Sequence, residues 1–387
     1  VAARGKTAGQ RLNRRAHDVK AALETALGRR LRHVAQSRAI THAEVLREAG
    51  RTVWENPLEE AYYGPGEGRT AVAHPAARLY QLRDVWVTGA EGFVFTGKRE
   101  VLRLCRSLDE REERKIRRPI ALLARRVEEP VLILTGRGPG NRGHFLCEHL
   151  PRFLLARERL PEAGWKVLVT PGHGAWMREY FELLGFAPER VEEGSPGSVF
   201  CPEAWLVPNL SGSARAELAR PELYAAVRER FLAETADGPG ARGRRLFLTR
   251  RDAPNRRLAN EDAVFAACRE VLPGLERVAL AGLGLREQVG LFRGAEVVVG
   301  PHSQAFRNVL YSTGALCVQL LQGARGPQNE YDIWANNYNC LATLGGNAAA
   351  TLYNGRSFRG GEDWCFPVKE LRAGLERLVE LAGEVRR

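Results

Sequence analysis

The sequence predicts an α/β protein of two parallel-sheet domains around a cleft, with a basic, mostly helical extension at the N-terminus. Three observations carry that expectation. From about residue 119 short apolar strands alternate with amphipathic helices, the signature of βαβ units. The alternation breaks at TADGPGARGRR (235–245), rich in Gly and Arg and poor in apolar residues, and then restarts. Finally, 387 residues are long for one core. The expected divisions are 1–77 for the extension, 78–235 for a first domain and 245–387 for a second.

Taken in order, residues 1–50 read as helical and basic. Leu12, Ala16, Val19, Leu23 and Leu27 recur at three- and four-residue spacing, with Arg14, Arg15 and Lys20 between them. That pattern suits either a helix on an acidic membrane surface or a solvated helix packed on its own protein. RLYQLRDVWVTGAEGFVFTG (78–97) reads as short strands, VWV and FVF, separated by a Gly-containing break. PVLILTG (130–136) is an apolar strand that runs into the Gly-rich loop GRGPGNRG (136–143), with a helix from His144. Strand KVLVT (166–170), a helix over 175–185 and strand VFCPEAWLVPN (199–209) follow. The second half reads as strand 245–250, helix 260–272, strand 275–280, helix 284–295 and strand 296–301. A helical stretch near 304–312, strand 315–321 and an amphipathic helix over 367–385 complete it. RGPQNEYDIWANNY (325–338) fits a pocket lining and a surface loop equally well.

The charge of +12, from 58 basic and 46 acidic residues, favours anionic partners. Only six of the basic residues are Lys, and an Arg-, Ala- and Gly-heavy chain is what a GC-rich genome writes, so position outweighs the total. No helix-turn-helix, finger or aromatic-basic RNA motif is present, which argues against a nucleic-acid partner. No stretch approaches the ~18 apolar residues of a membrane span, and the N-terminus shows no charged-then-apolar signal pattern. Seven cysteines are scattered without a CxxC pair, against a disulfide framework or structural zinc and for a reducing, cytoplasmic setting.

Three clusters stand at strand-to-helix transitions, where open α/β sheets place their ligands. In NRGHFLCEHLPR (141–152), a helix from residue 144 puts His144 and Glu148 on one face, with His149 about 100° away. A carboxylate beside an imidazole suits general-base catalysis, and a capping or core role is the alternative for each His. The His-x3-Glu-His order matches neither HExxH nor HxxEH, so no metal is expected. Nor does the Gly-rich loop complete GxGxxG, because Asn141 stands at the third Gly, and no GxxxxGK[ST] loop exists.

In LFLTRRDAPNRRLANEDAV (246–264), Thr249, Arg250 and Arg251 end a strand, the loop adds Arg256 and Arg257, and Asn260 and Glu261 open a helix. Arginine forks suit a diphosphate, and Glu261 suits either ribose hydroxyls or the helix dipole. In EVVVGPHSQAFRNVLYSTGA (296–315), a strand runs into Gly300, Pro301 and His302 just before a helix start. That arrangement suits an anion, with His302 and Asn308 as further donors, or an ordinary capped turn.

In this order and spacing the three clusters resemble glycosyltransferase family 61. The N-x-G-H-x-x-x-[DE]-x-L-P-R-like segment is matched by Asn141, Gly143, His144, Glu148, Leu150, Pro151 and Arg152. The Arg-Arg…Arg…Asn-Glu segment is matched by Arg250, Arg251, Arg257, Asn260 and Glu261, and the G-x-H-G-A-G-x-x-N segment by Gly300, His302 and Asn308. The likeness covers roughly 78–385. It implies a GT-B-like fold of two Rossmann-like domains and inverting, metal-independent transfer from a nucleotide-sugar donor bound by the C-terminal half. The acceptor is a glycan, capsular or cell-surface, or its lipid-linked form, met in the cytoplasm with possible membrane contact through residues 1–50.

Under the resemblance Glu148 is the expected base, with His144 its rival, and Asn141, Gly143, His149 and Arg152 lie on the acceptor side. Arg250, Arg251 and His302 bind the diphosphate and Glu261 the ribose, with Arg257, Asn260, Gly300 and Asn308 completing the donor site. The family's H-G-A-G run is here His302, Ser303, Gln304 and Ala305. Glycines there let backbone approach phosphates closely, so Ser303 and Gln304 imply either an unusual donor or a catalytically silent module that binds glycan or nucleotide.

Overall fold

Strands covered on both faces must be apolar along their length, whereas strands with one wet face alternate, and the chain contains both kinds. A computed structural model describes residues 32–34, 37–88, 92–96, 100–102, 124–136, 140–195, 197–210, 218–236, 243–326, 328–356 and 361–385. Two units divide the chain: residues 1–49 with 75–212, and residues 50–74 with 213–387.

The first unit opens with β1 (Arg32–Val34) and β2 (Ile40–Arg47). The chain then leaves it for β3 (Gly50–Glu55), α1 (Pro57–Tyr63) and β4 (Arg69–His74), which belong to the second unit. It returns with β5 (Ala77–Thr88), β6 (Phe93–Phe95), β7 (Glu100–Leu102), β8 (Arg125–Arg126) and β9 (Val131–Ile133). A composite helix follows, α2 (Arg142–His144), a π-helical turn (Phe145–His149) and α3 (Leu150–Arg157). β10 (Lys166–Val169), α4 (Gly174–Leu183), β11 (Val191–Glu193) and β12 (Ser198–Leu206) complete the unit.

Its ten-stranded sheet runs β1-β7-β6-β5-β12-β9-β10-β11, with β2 added on β5 and β8 on β12. Only part of it has the parallel layout expected of the whole domain. β12, β9, β10 and β11 are parallel neighbours, but the long β5 runs antiparallel to β12, β2 and β6. A hairpin joins antiparallel neighbours through a few residues, and Gly92, at φ 66°, supplies the left-handed turn before β6. The core is the buried face of these strands, including Leu82, Val85, Val131, Ile133, Leu168 and Leu206.

The second unit adds α5 (Pro221–Glu234), β13 (Arg244–Leu248), α6 (Glu261–Val271), β14 (Leu275–Val278), α7 (Leu285–Arg293) and β15 (Ala295–Pro301). A 3₁₀ helix (Gln304–Tyr311), β16 (Leu316–Leu321), α8 (Glu330–Thr343), β17 (Ala348–Tyr353) and α9 (Val368–Val385) follow. The sheet order is β14-β13-β15-β16-β17, all parallel. This is the 2-1-3-4-5 order of a doubly wound sheet, whose ligand crevice lies at the carboxyl ends of the first and third strands. Those strands are β13 and β15. Gly300 has a packing reason to be glycine, since a Cβ there would come 2.5 Å from the carbonyl oxygen of Leu248 on β13.

Three sequence expectations change. The described part of the 1–77 extension is largely strand, because the β-branched Ile40 and Val45 pair into a ladder with β5, with Thr41 at a shift of its register. The helical repeat from Leu12 to Leu27 lies outside the described residues. The division between the units falls at 212/213, not at 235–245, and residues 50–74 join the C-terminal unit. They do so through Asn56, whose Nδ2 donates to the carbonyl of Ala349 at 2.9 Å, and Trp54, whose Nε1 donates to Leu218 at 2.8 Å. Much of 325–338 is the start of α8 and not a loop.

Candidate functional site

In the first unit the site begins with a cap. Asn141 Oδ1 accepts from the N–H groups of Gly143 (2.9 Å) and His144 (3.1 Å), so the helix starts at Arg142, two residues earlier than expected. The π-turn that follows has Leu150 N–H bonded to Phe145 C=O, a local widening that recurs at functional sites. On it His144 Nδ1 and Glu148 Oε1 share a hydrogen bond, with the side chains 15% and 9% exposed. An ionised carboxylate accepts only, so in this pair Nδ1 carries the proton.

His149 and Arg152, expected on the acceptor side, are 3% and 2% exposed. His149 stacks on Phe145 at 5.8 Å, and Gly136 leaves room for it, since a Cβ there would come 2.9 Å from His149 Cε1. Arg152 donates to the carbonyls of Val207 (2.6 Å), Thr135 (3.1 Å) and Ile133 (3.4 Å), bracing the end of β9 to the chain leaving β12. Both side chains are buried and held by partners within the first unit.

Two further groups border the same loop and helix start. His173, just before α4, lies against the Gly-rich loop, where a Cβ on Gly140 would be 3.0 Å from its ring. Trp176 meets Phe145 edge-on at 5.4 Å and carries the Arg142 guanidinium 5.5 Å above its ring. His173 was missed by sequence reasoning; its position right after KVLVT, at the end of a strand, was the available signal.

In the second unit most of the expected donor residues have partners of their own. Glu261, 2% exposed, accepts from Thr249 Oγ1 (2.7 Å) and the N–H of Arg250 (3.2 Å) and pairs with Arg251 Nε (3.1 Å). It shapes the loop leaving β13 and is too enclosed for a ribose. Arg251 is further engaged by Asp262, and Arg257 by Asp363 at 2.7 Å. Asn260 brackets Phe366, donating to its carbonyl (2.8 Å) and accepting from its N–H (3.0 Å), and Asn308 donates to Gln288 Oε1 (3.0 Å). Arg250 donates to the carbonyls of Arg256 (3.2 Å) and Asn255 (3.1 Å), which sets the loop. Arg256, at φ 53°, lies 4.7 Å over the ring of Tyr331.

His302 stands at the end of β15 and is 9% exposed. It stacks on Tyr338 at 5.1 Å, and Arg250, Arg256 and Arg307 lie within electrostatic reach. Burial first, and these guanidiniums in addition, push its pKa down to about 3. The ring is neutral at physiological pH and brings no charge to a diphosphate. Behind it runs a chain of buried side chains: His302 Nδ1 to Gln319 Oε1 (2.8 Å), Gln319 Nε2 to Asn339 Oδ1 (2.7 Å), Asn339 Nδ2 to Glu59 Oε1 (2.7 Å). Ser303 is buried and Gln304 exposed at the start of the 3₁₀ helix, where an α-helical N-terminus had been one expectation.

Among the described residues no group of three or more His, Cys, Asp or Glu is placed to hold a metal, and no helix is long and apolar enough to cross a membrane. Residues 143–318 match the family model described as Glycosyltransferase 61. That segment begins inside the capped turn at Gly143, contains the loop leaving β13 and the end of β15, and stops at Val318. No curated protein sequence matches the chain.

Proposed function

The chain belongs to glycosyltransferase family 61 through residues 143–318, and we propose from that premise an inverting, metal-independent enzyme of the GT-B type. It moves a sugar from a nucleotide-sugar donor to a glycan acceptor of the cell-surface polysaccharide kind. The observation that supports this most is the His144–Glu148 pair. With Glu148 holding Nδ1–H, His144 Nε2 takes the proton of an acceptor hydroxyl as its oxygen bonds to the anomeric carbon. The bond from that carbon to the diphosphate breaks, and the nucleoside diphosphate leaves with the electron pair. Glu148, the base expected from sequence, becomes the group that orients His144 and stabilises its charged form, in the manner of a triad carboxylate.

In the second unit Arg250 and Arg256 are the guanidiniums best placed at the switch point between β13 and β15 to meet the developing charge. The test is turnover by His144→Ala and Glu148→Gln against a panel of nucleotide sugars. The first substitution should lower kcat about a thousandfold and the second about a hundredfold, with donor affinity unchanged. Equal turnover in His144→Ala and the wild type removes the assignment. A silent binding module is the second reading, supported by the exposed Gln304 where the family has a small residue; donor-dependent product from the wild type eliminates it.

A further inference from the structure

Gln319 is the one polar side chain in β16, a strand that is otherwise apolar, and it is 1% exposed. A buried amide costs free energy unless its groups are bonded. Its Nε2 donates to the carbonyl of Ala335 (2.9 Å) and to Asn339 Oδ1 (2.7 Å), both on α8. A backbone carbonyl only accepts, so turning the amide over would set Oε1 against it. Asn339 is oriented in the same sense, with Nδ2 donating to Glu59 Oε1 (2.7 Å) and Thr351 Oγ1 (2.9 Å). Gln319 Oε1 therefore faces His302 Nδ1 as an acceptor, at 2.8 Å, and the imidazole proton sits on Nδ1.

The remaining ring nitrogen, Nε2, is then a bare lone pair in an uncharged ring. Phosphate oxygens at neutral pH also present lone pairs, and the two repel. Hydroxyl and ring N–H groups present protons. Resting on the reading of the second unit as the donor-binding unit, we infer that Gln319 is a positioning residue. By holding His302 in the Nδ1–H form it makes Nε2 an acceptor for a hydroxyl or ring N–H of the nucleotide sugar, and not a ligand of its diphosphate.

The first measurement is the ring ¹⁵N spectrum of the histidine-labelled full chain, with His302 assigned by comparison with His302→Gln. The wild type should show a neutral ring protonated on Nδ1, and Gln319→Leu and the volume-keeping Gln319→Met should lose that preference. A wild-type ring protonated on Nε2, or on both nitrogens, overturns the positioning role without reference to any substrate.

The second measurement is calorimetric titration of wild type and both variants with inorganic diphosphate, with UDP, GDP and dTDP, and with the corresponding nucleotide sugars. The variants should weaken binding about tenfold, the scale of one neutral hydrogen bond, and leave inorganic diphosphate within about twofold. A loss first seen with the nucleoside diphosphate assigns the contact to base or ribose. A loss seen only with the nucleotide sugar assigns it to a sugar hydroxyl. A loss already present with inorganic diphosphate, or none with any compound, overturns the inference. If no nucleotide or nucleotide sugar binds the wild type, the donor reading itself falls, and the ligand assigned to His302 with it.

Discussion

Replacing Glu59 by glutamine should stabilise the second unit, and increasingly so as the pH rises. Glu59 lies on α1, 3% exposed, with Asn339 Nδ2 at 2.7 Å from its carboxylate. Burial pushes its pKa from an ordinary 4.5 up to about 7, against the pull of Arg325 and with Asp332 and Glu67 adding to the rise. In the unfolded chain the group ionises near 4.5, so between that value and 7 the folded state binds more protons than the unfolded one. Its contribution to stability is therefore complete below pH 4.5 and is lost as the pH rises through 7. The loss is about 1 kcal/mol at pH 5 and about 3 kcal/mol at pH 8.

His302 acts in the opposite sense, because its folded pKa near 3 lies below the ordinary 6.5, and its contribution is lost as the pH falls from 6.5. The two slopes oppose each other between 4.5 and 6.5, so the wild-type profile conceals both. The difference between variant and wild type isolates Glu59. Glutamine keeps an acceptor for Asn339 and cannot ionise. Urea unfolding followed through the tryptophans of this unit (Trp54, Trp334, Trp364) should show the variant gaining about 2 kcal/mol over the wild type from pH 5 to pH 8. Parallel stability profiles across that range would refute the reasoning.

Arg152→Met leaves three buried carbonyls without their guanidinium, and unfolding of the first unit should become easier by about 3 kcal/mol. Arg256→Ala should weaken nucleotide-sugar binding at least tenfold with little change in stability. Arg257→Ala should leave donor binding unchanged and barely move the melting temperature, since its pair with Asp363 is half exposed. Both are read from one set of titrations and melts. Exhaustive chelation should leave transfer intact, and activity that disappears with EDTA and returns with a divalent cation would refute metal independence.

The parallel strands of the second unit were legible because a strand buried on both faces is written as an apolar run: EVVVGP, ALCVQLL. The antiparallel portion of the first unit was not, since VWV and FVF do not say which strand they will pair with. Positions at strand ends were likewise readable, and roles were not. Arg257 and Asn260 meet Asp363 and Phe366, each 106 residues away, and no local pattern announces such partners. Glu261 reads as a ribose ligand because a carboxylate at a helix start can accept from hydroxyls; Arg251 beside it and Arg277 on β14 pair with it instead. One signal was available and unused: a lone Gln within ALCVQLL, which a buried strand tolerates only with a complete set of partners.

The early excursion into the second unit, residues 50–74, has a bearing on biogenesis. Asn56 must wait for Ala349, 293 positions later, before its amide is satisfied. At ribosomal speeds of about 5–20 residues per second, that interval is roughly 15–60 s. During it α1 is on the growing chain without β17, the strand that Asn56 docks on. The second unit therefore cannot be complete until Ala349 has emerged, although its first piece leaves the ribosome early. Cutting the gene between the units would strand this lobe on the wrong fragment. Expression of a split protein should therefore succeed only when residues 50–74 are moved, by permutation, to the C-terminal piece.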